Sequence, residues 1–181
     1  MALYGKMPSV TYQDYPEASL IILWGVNPSA SGIHLIPYVR EAQKRGASLV
    51  VVDPRTTALA RSADVHLAVK PGTDVAVALA IHRHLFANGY ADEAFLGRHA
   101  RGADRLRERA ECWTIERASE AAGVQAASLA RVAQLYAESS LRSYAADGAS
   151  NATATAETRR WPCWRCLRLA ASSAFVAAGT R

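Results

Sequence analysis

Short continuous apolar runs alternate with longer amphipathic stretches over the first ninety residues of the chain. Three of the runs are LIILW at Leu20–Trp24, SLVVV at Ser48–Val52 and VHLAV at Val65–Val69. Runs of this length without polar alternation predict strands that are covered on both faces. Between the first two runs, His34–Arg45 carries apolar residues at helical spacing and charges between them, which predicts an amphipathic helix.

The chain after the third run has a helical pattern. Thr73–Asn88 predicts a helix with Thr73 as its N-cap and a carboxylate in the first turn. Strands alternating with helices indicate an α/β fold, here a Rossmann-like, three-layer parallel sheet with helices, followed by a helical segment. The predicted helices of that last segment are Asp92–His99, Ala103–Cys112, Ile115–Ala122 and Gln125–Glu138.

Small and polar residues follow each of the three predicted strands, in the loops 25–32, 53–57 and 71–74. Because the carboxyl ends of parallel strands meet at one edge of a sheet, these loops are expected to converge where such folds bind ligands. The first loop lets backbone N–H groups approach an anion closely. It contains only the glycines Gly25 and Gly32, so the usual dinucleotide fingerprint is absent.

Several side chains in these loops suit a nucleotide. Asp53 follows the second strand, where a carboxylate can accept hydrogen bonds from a ribose or base, and Arg55 can pair with a phosphate. Asp74 can accept hydrogen bonds from a guanine N–H edge. A purely local role is open for each, with Asp53-Pro54 as a turn, Thr73 as a cap and Asp74 as a partner of the helix dipole. Taken together, the three loops favour nucleotide binding.

The same loops carry three ordered motifs, W-G-x-N-P at 24–28, V-D-P-R-x-T at 52–57 and P-G-T-D at 71–74. With these motifs the chain resembles the molybdopterin oxidoreductases of the dimethyl sulfoxide reductase superfamily, which include formate dehydrogenases and nitrate reductases. The resemblance covers about residues 3–140. It implies that residues 1–140 are part of the α/β domain of a longer enzyme, on the guanine dinucleotide side of its cofactor site.

The resemblance also implies a cofactor, bis(molybdopterin guanine dinucleotide) with molybdenum or tungsten, at which the parent enzyme would carry out redox or oxygen-atom transfer chemistry. An iron–sulfur cluster and the protein ligand to the metal would belong to other segments of that enzyme. We therefore expect no catalytic or metal-ligating residue in this chain and no activity of the chain alone. The cofactor-binding residues implied are Trp24, Gly25, Asn27, Pro28, Ser29, Ser31, Asp53, Pro54, Arg55, Thr57, Gly72, Thr73 and Asp74.

The formal charge of +5 does not indicate a nucleic-acid-binding protein, because of where the charge lies. Residues 1–140 hold 15 basic and 14 acidic side chains, whereas residues 141–181 hold six arginines and two acidic residues. No apolar run is long enough to cross a bilayer, and the N-terminus does not have the pattern of a signal peptide. We expect a cytoplasmic protein whose partners are the pterin cofactor and the rest of the parent enzyme.

The three cysteines are too few for a disulfide scaffold. Cys112 falls in a helical pattern and is predicted to be a small buried residue. Cys163 and Cys166 form a C-x-x-C motif, as in redox and zinc sites, but neither a strand–helix context nor a second ligand pair accompanies it.

Residues 141–181 depart abruptly from the resemblance. The segment is rich in Ala, Thr and Arg and has little periodicity. Read two bases later, its codons permit a Gly-Trp-Gly and an Asn-Gly-Gly at the spacing found in the family. The segment is therefore interpreted as a frame-shifted, non-native tail without packed structure.

Two other functions are open at this point. The chain could be a free-standing Rossmann-type nucleotide-binding module without catalysis, which predicts guanine-nucleotide binding in isolation. It could also be a redox or zinc-linked interaction protein that uses Cys163 and Cys166.

The tail interpretation predicts a reading-frame interruption close to the codon of Ser140, with the other cofactor-binding segments encoded on either side. Sequencing the genomic DNA from well upstream of Met1 to beyond Arg181 checks this. A continuous frame flanked by unrelated genes would contradict it.

Overall fold

The computed structural model describes residues 12–100, 102–139 and the strand 142–146. These residues form four strands and seven α-helices, and 3₁₀ turns lie among them at Tyr12–Glu17, Ile33–Leu35 and Ala60–Ser62. The elements in chain order are β1 (Leu20–Trp24), α1 (Pro28–Ser31), α2 (Ile36–Lys44), β2 (Ser48–Val52), β3 (Val65–Leu67), α3 (Asp74–Ala87), α4 (Glu93–His99), α5 (Ala103–Glu111), α6 (Ile115–Ala122), α7 (Ala126–Glu138) and β4 (Arg142–Ala146).

The four strands form one parallel sheet in the order β3-β2-β1-β4. Leu20 in β1 is paired with Ser48 on one side and Arg142 on the other, and the register continues without a bulge to Trp24. β1 is therefore an inner strand whose backbone is hydrogen-bonded on both edges. This agrees with the α/β prediction and adds a strand to the sheet.

Side chains of β1 alternate between two separate cores. Leu20, Ile22 and Trp24 belong to one hydrophobic cluster, and Ile21 and Leu23 belong to the other. All five are buried, as a strand covered on both faces requires. Full burial of an aliphatic side chain of this size contributes roughly 1.5–3 kcal/mol, so β1 anchors both layers.

Helices cover each face of the sheet and make the three-layer arrangement. α3, α6 and α7 supply the first cluster, and α2 packs on the second together with the 3₁₀ turn at Tyr12–Glu17. α6 ends at Gly123, which has a φ of 69° and closes the helix in the left-handed conformation. A Cβ at this position would lie 2.7 Å from Cε of Lys70, so the loop after β3 and the end of α6 meet here.

Some boundaries differ from the sequence predictions. The helix predicted at His34–Arg45 begins as a 3₁₀ turn and becomes α-helical only at Ile36, with Pro37 in its first turn, where a missing N–H is tolerated. Strand β3 ends at Leu67 rather than Val69. Cys112 is exposed, so its predicted burial is wrong, because it follows α5 on the side that faces solvent.

Strand β4 corrects one feature of the sequence interpretation. It lies inside the segment 141–181 that was predicted to have no packed structure, and it pairs with β1 along all five residues. The sheet therefore continues past residue 140 to at least Ala146. The C-x-x-C motif of Cys163 and Cys166 lies outside the described residues, so its interpretation stays a prediction.

No helix within residues 12–139 or elsewhere in the described part of the chain is long and apolar enough to cross a membrane.

His82 on α3 is a buried titratable group within the helical layer. Its side chain is 4 % exposed, and its Nε2 atom has no hydrogen-bond partner among the residues that the structure describes. Burial lowers its pKa from 6.5 to about 4, because the charged imidazolium would lose its hydration without gaining a partner. The folded chain therefore holds a neutral imidazole at neutral pH.

This predicts an acid sensitivity that depends on one residue. Between pH 6.5 and 4 the unfolded chain binds a proton that the folded chain does not. The free energy of unfolding therefore decreases as the pH is lowered through this range. From pH 7 to 4.5 the His82 contribution to this loss should be roughly 2–3 kcal/mol, and His82→Leu should remove it. Urea unfolding of both proteins at the two pH values measures the difference. Equal losses in the two proteins would contradict the prediction.

Candidate functional site

Backbone hydrogen bonds join the carboxyl ends of β1, β2 and β3. The Gly25 N–H donates to the Val52 carbonyl over 2.8 Å, and the Asp53 N–H donates to the Leu67 carbonyl over 3.2 Å. The loops 25–32, 53–57 and 71–74 therefore lie along one edge of the sheet, as the sequence predicts. We call this edge, made of these three loops, the three-loop edge.

A side-chain hydrogen bond connects the end of β1 to the third loop. Nε1–H of Trp24, at the end of β1, donates to Oδ1 of Asp74 over 2.7 Å. Trp24 is 1 % exposed and packs in the cluster beneath α3, whereas Asp74 begins α3 and is half-buried. The bond joins residues fifty positions apart, so only the fold brings them together.

The first loop is a tight turn followed by the single-turn helix α1. Gly25 has a φ of 63°, a conformation that favours glycine, and it turns the chain away from β1. The Asn27 carbonyl accepts hydrogen bonds from the N–H of Ala30 and the N–H and hydroxyl of Ser31. Pro28 is buried at the start of α1, and Ser29 and Ser31 are exposed.

The Asn27 side chain is not satisfied by the protein. Its Oδ1 atom is buried and has no hydrogen-bond partner among the described residues, and the side chain makes no capping bond to α1. Buried acceptors without partners are rare in native proteins and destabilise them unless a ligand or water completes the bond. Oδ1 of Asn27, close to the end of β1, can therefore accept a hydrogen bond from a ligand.

The second loop holds its carboxylate through internal bonds. Asp53 is 1 % exposed, and its Oδ1 accepts a 2.7 Å hydrogen bond from the Arg55 N–H. His66 places Nε2 at 2.9 Å from the Asp53 carbonyl, and Thr57 is buried, where its hydroxyl accepts from the Ala60 N–H. Asp53 therefore has the local turn role that the sequence left open as one alternative.

One cation of this loop faces solvent. The Arg55 side chain is 71 % exposed, with Nε 3.4 Å from the Asp53 carboxylate, and Pro54 beside it is exposed as well. Most of the guanidinium is therefore accessible to an anion arriving at the three-loop edge.

The third loop presents Asp74. Gly72 has a φ of 87° and is exposed, and the Thr73 hydroxyl donates to the Lys70 carbonyl over 2.7 Å instead of accepting from the first turn of α3. Thr73 thus occupies the predicted N-cap position without making the capping bond. Asp74 accepts from Trp24 through Oδ1, and its Oδ2 has no hydrogen bond from any described residue.

The structure brings all three predicted loops to one edge. His66, which the sequence analysis did not include, contributes through its contact with the Asp53 carbonyl; its only signal in the sequence is an imidazole near the end of a buried strand. Among the described residues no three His, Cys, Asp or Glu side chains are grouped as a metal site would require.

Comparison with known proteins gives a consistent result. The family model described as Molybdopterin oxidoreductase matches residues 4–179. The chain is 38% identical over 136 residues to a probable oxidoreductase, YoaE, of Bacillus subtilis, an alignment that covers 75% of this chain and 20% of that protein. It is 31% identical over 122 residues to formate dehydrogenase H of Escherichia coli, covering 67% of this chain and 17% of that protein.

A solved structure shares the fold. Acetylene hydratase from Pelobacter acetylenicus superposes with a TM-score of 0.68 at 24% sequence identity, over 78% of this chain and 19% of that one. The chain thus spans about a fifth of the length of the relatives that it matches.

The unpaired Asn27 amide predicts an unusual stability result. Asn27→Ala removes a buried acceptor that has no partner among the described residues and no capping role, so we expect the free energy of unfolding without ligand to change by less than about 0.5 kcal/mol or to increase. Urea unfolding checks this. A loss of about 1 kcal/mol or more would mean that the amide stabilises the loop itself.

Proposed function

The chain belongs to the molybdopterin oxidoreductase family, and from this premise we propose that its three-loop edge binds the guanine dinucleotide part of a bis(molybdopterin guanine dinucleotide) cofactor. Residues 1–140 would then form part of the cofactor-binding α/β domain of a longer oxidoreductase. The observation that carries the proposal is a pair of acceptors on this edge to which no described residue donates, Oδ1 of Asn27 and Oδ2 of Asp74.

The chemistry of the three-loop edge fits the parts of a guanine dinucleotide. Guanine carries adjacent N1–H and N2–H donors, and a carboxylate with a free oxygen is the side chain that can accept from both. Asn27 can complete its buried amide with a ribose hydroxyl or a base N–H. The exposed Arg55 guanidinium suits a phosphate, which it can bind through two parallel N–H donors.

The remaining predicted residues shape the edge. Gly25 and Gly72 adopt positive φ angles, so the backbone can turn closely past a ligand without a Cβ in the way. Asp53 and Thr57 are buried and accept hydrogen bonds from nearby backbone N–H groups, and Asp53 would hold Arg55 in place. The exposed hydroxyls of Ser29 and Ser31 are available as donors to phosphate oxygens.

The bound cofactor would supply molybdenum or tungsten, at which the parent enzyme carries out redox or oxygen-atom transfer chemistry. The residues of this chain would bind and orient the nucleotide end and contribute the local electrostatic field. The ligand to the metal and any iron–sulfur cluster would come from other parts of the parent enzyme, and we propose that the chain alone is inactive. We also propose a frame-shifted origin for the segment 141–181, as the sequence predicts.

Replacing the Asp74 carboxylate tests the guanine contact. Asp74→Asn converts one acceptor oxygen to a donor that faces the guanine N–H edge, so we expect GDP affinity to fall by about 10- to 100-fold, the range for hydrogen bonds to charged groups. Isothermal titration calorimetry of the 181-residue chain with GDP, and with ADP for comparison, measures the change.

Asp104→Asn is a matched control, because Asp104 also lies in the first turn of a helix but on the exposed α5. It should leave GDP binding unchanged. Absence of GDP binding by the unsubstituted chain, or equal affinity for GDP and ADP, would contradict the proposed function. GDP binding by a chain whose gene has a continuous frame and unrelated neighbours would instead favour a free-standing nucleotide-binding module.

A further inference from the structure

The orientation of the Asp74 carboxylate is determined by a residue from another element. Asp74 is the first residue of α3, where free backbone N–H groups of the first turn compete for a carboxylate. In the structure its bond is instead to Nε1–H of Trp24, at 2.7 Å, and no described group of α3 donates to it. The carboxylate is therefore turned toward the end of β1.

The donor in this bond cannot move. Trp24 is the last residue of the inner strand β1, its backbone is paired with Val52 and Ala146, and its side chain is 1 % exposed within the core that α3 covers. An indole ring confined in this way points its single N–H in one direction. The position of Oδ1 of Asp74 is thereby tied to the sheet.

We propose that Trp24 is a positioning residue that makes the three-loop edge selective for guanine over purines without the 2-amino group. This inference rests on the proposed function, since it assumes that Asp74 meets the guanine base. By occupying one lone pair of Oδ1, Trp24 holds the carboxylate with Oδ2 and the second lone pair of Oδ1 available. These acceptors match the adjacent N1–H and N2–H of guanine. Hypoxanthine keeps N1–H but lacks the amino group.

Loss of the indole N–H should release the carboxylate without removing it. In Trp24→Phe the ring still fills the core, but Asp74 is free to rotate and to bond the first-turn N–H groups of α3. The orientation in which both carboxylate oxygens face guanine is then only one of several. We expect the hydrogen bond to the 2-amino group to weaken most. Phosphate contacts through Arg55 do not involve this bond.

The experiment compares GDP and IDP binding by calorimetry for the unsubstituted chain, Trp24→Phe, Asp74→Asn and the double variant. We expect Trp24→Phe to lower the affinity for GDP by about 3- to 10-fold and the affinity for IDP by less than about 2-fold, because one hydrogen bond that orders the carboxylate is lost. In the Asp74→Asn background, Trp24→Phe should not further change the ratio of GDP affinity to IDP affinity (the GDP-to-IDP ratio), because the two residues act through one contact.

Trp113→Phe is the matched control for loss of indole bulk. Trp113 packs against the same hydrophobic cluster, but its ring lies under Arg117, 4.9 Å from the guanidinium carbon. It should leave the GDP-to-IDP ratio unchanged. A second readout is the ¹⁵N–¹H resonance of the Trp24 indole, identified by its absence in Trp24→Phe, which should move upfield in Asp74→Asn.

The outcomes separate the two proposals. If the unsubstituted chain binds GDP and prefers it to IDP, but Trp24→Phe keeps that preference, the positioning role is wrong while the proposed function stands. The same holds if Trp24→Phe lowers the ratio equally with and without the Asp74 carboxylate, since the effect would then be a loss of packing. If the unsubstituted chain does not bind GDP, the proposed function fails, and the inference fails with it.

Discussion

The pairing of β1 on both edges is the constraint on which the rest of the structure depends. A strand that is hydrogen-bonded to β2 and to β4 and buried on both faces resists a shift of register, because a one-residue slip would carry Trp24 to the opposite face and disrupt the packing of both cores. Its carboxyl end therefore has a fixed position, and Trp24 and Gly25 with it. Both the contact to α3 and the turn into the first loop begin there.

The three-loop edge combines a rigid base with polar groups that the protein leaves incomplete. The Asp53 carboxylate accepts from the Arg55 N–H and the Thr57 hydroxyl from the Ala60 N–H, which stabilises the turn. Oδ1 of Asn27 is buried without a donor among the described residues, which lowers stability in the absence of a ligand, and Oδ2 of Asp74 has no donor among those residues. Functional sites commonly keep such groups, because an acceptor that the protein has already used fully is less available to a ligand.

Much of the fold could be predicted because its signals are local. Continuous apolar runs indicated β1 and β2 with correct ends, and Gly123 marked the end of α6. Predictions failed where the deciding factor was the environment. Cysteine is a residue type that is often buried, but Cys112 lies on the solvent side of α5. The sequence of β4 has a weak strand pattern, so its pairing with β1 decided its conformation.

The sequence by itself determined the alternation of β1, β2 and β3 with helices, the convergence of three loops at the carboxyl ends of these parallel strands, and the motifs that indicate the family. These follow from periodicity, turn chemistry and the handedness of crossovers, which act over a few residues or apply to every chain of this class. Only the tertiary structure decided which polar groups are satisfied. The hydrogen bond between Trp24 and Asp74 depends on packing between distant segments, and so does the lack of a donor to Oδ1 of Asn27 among the described residues. No local pattern specifies this packing.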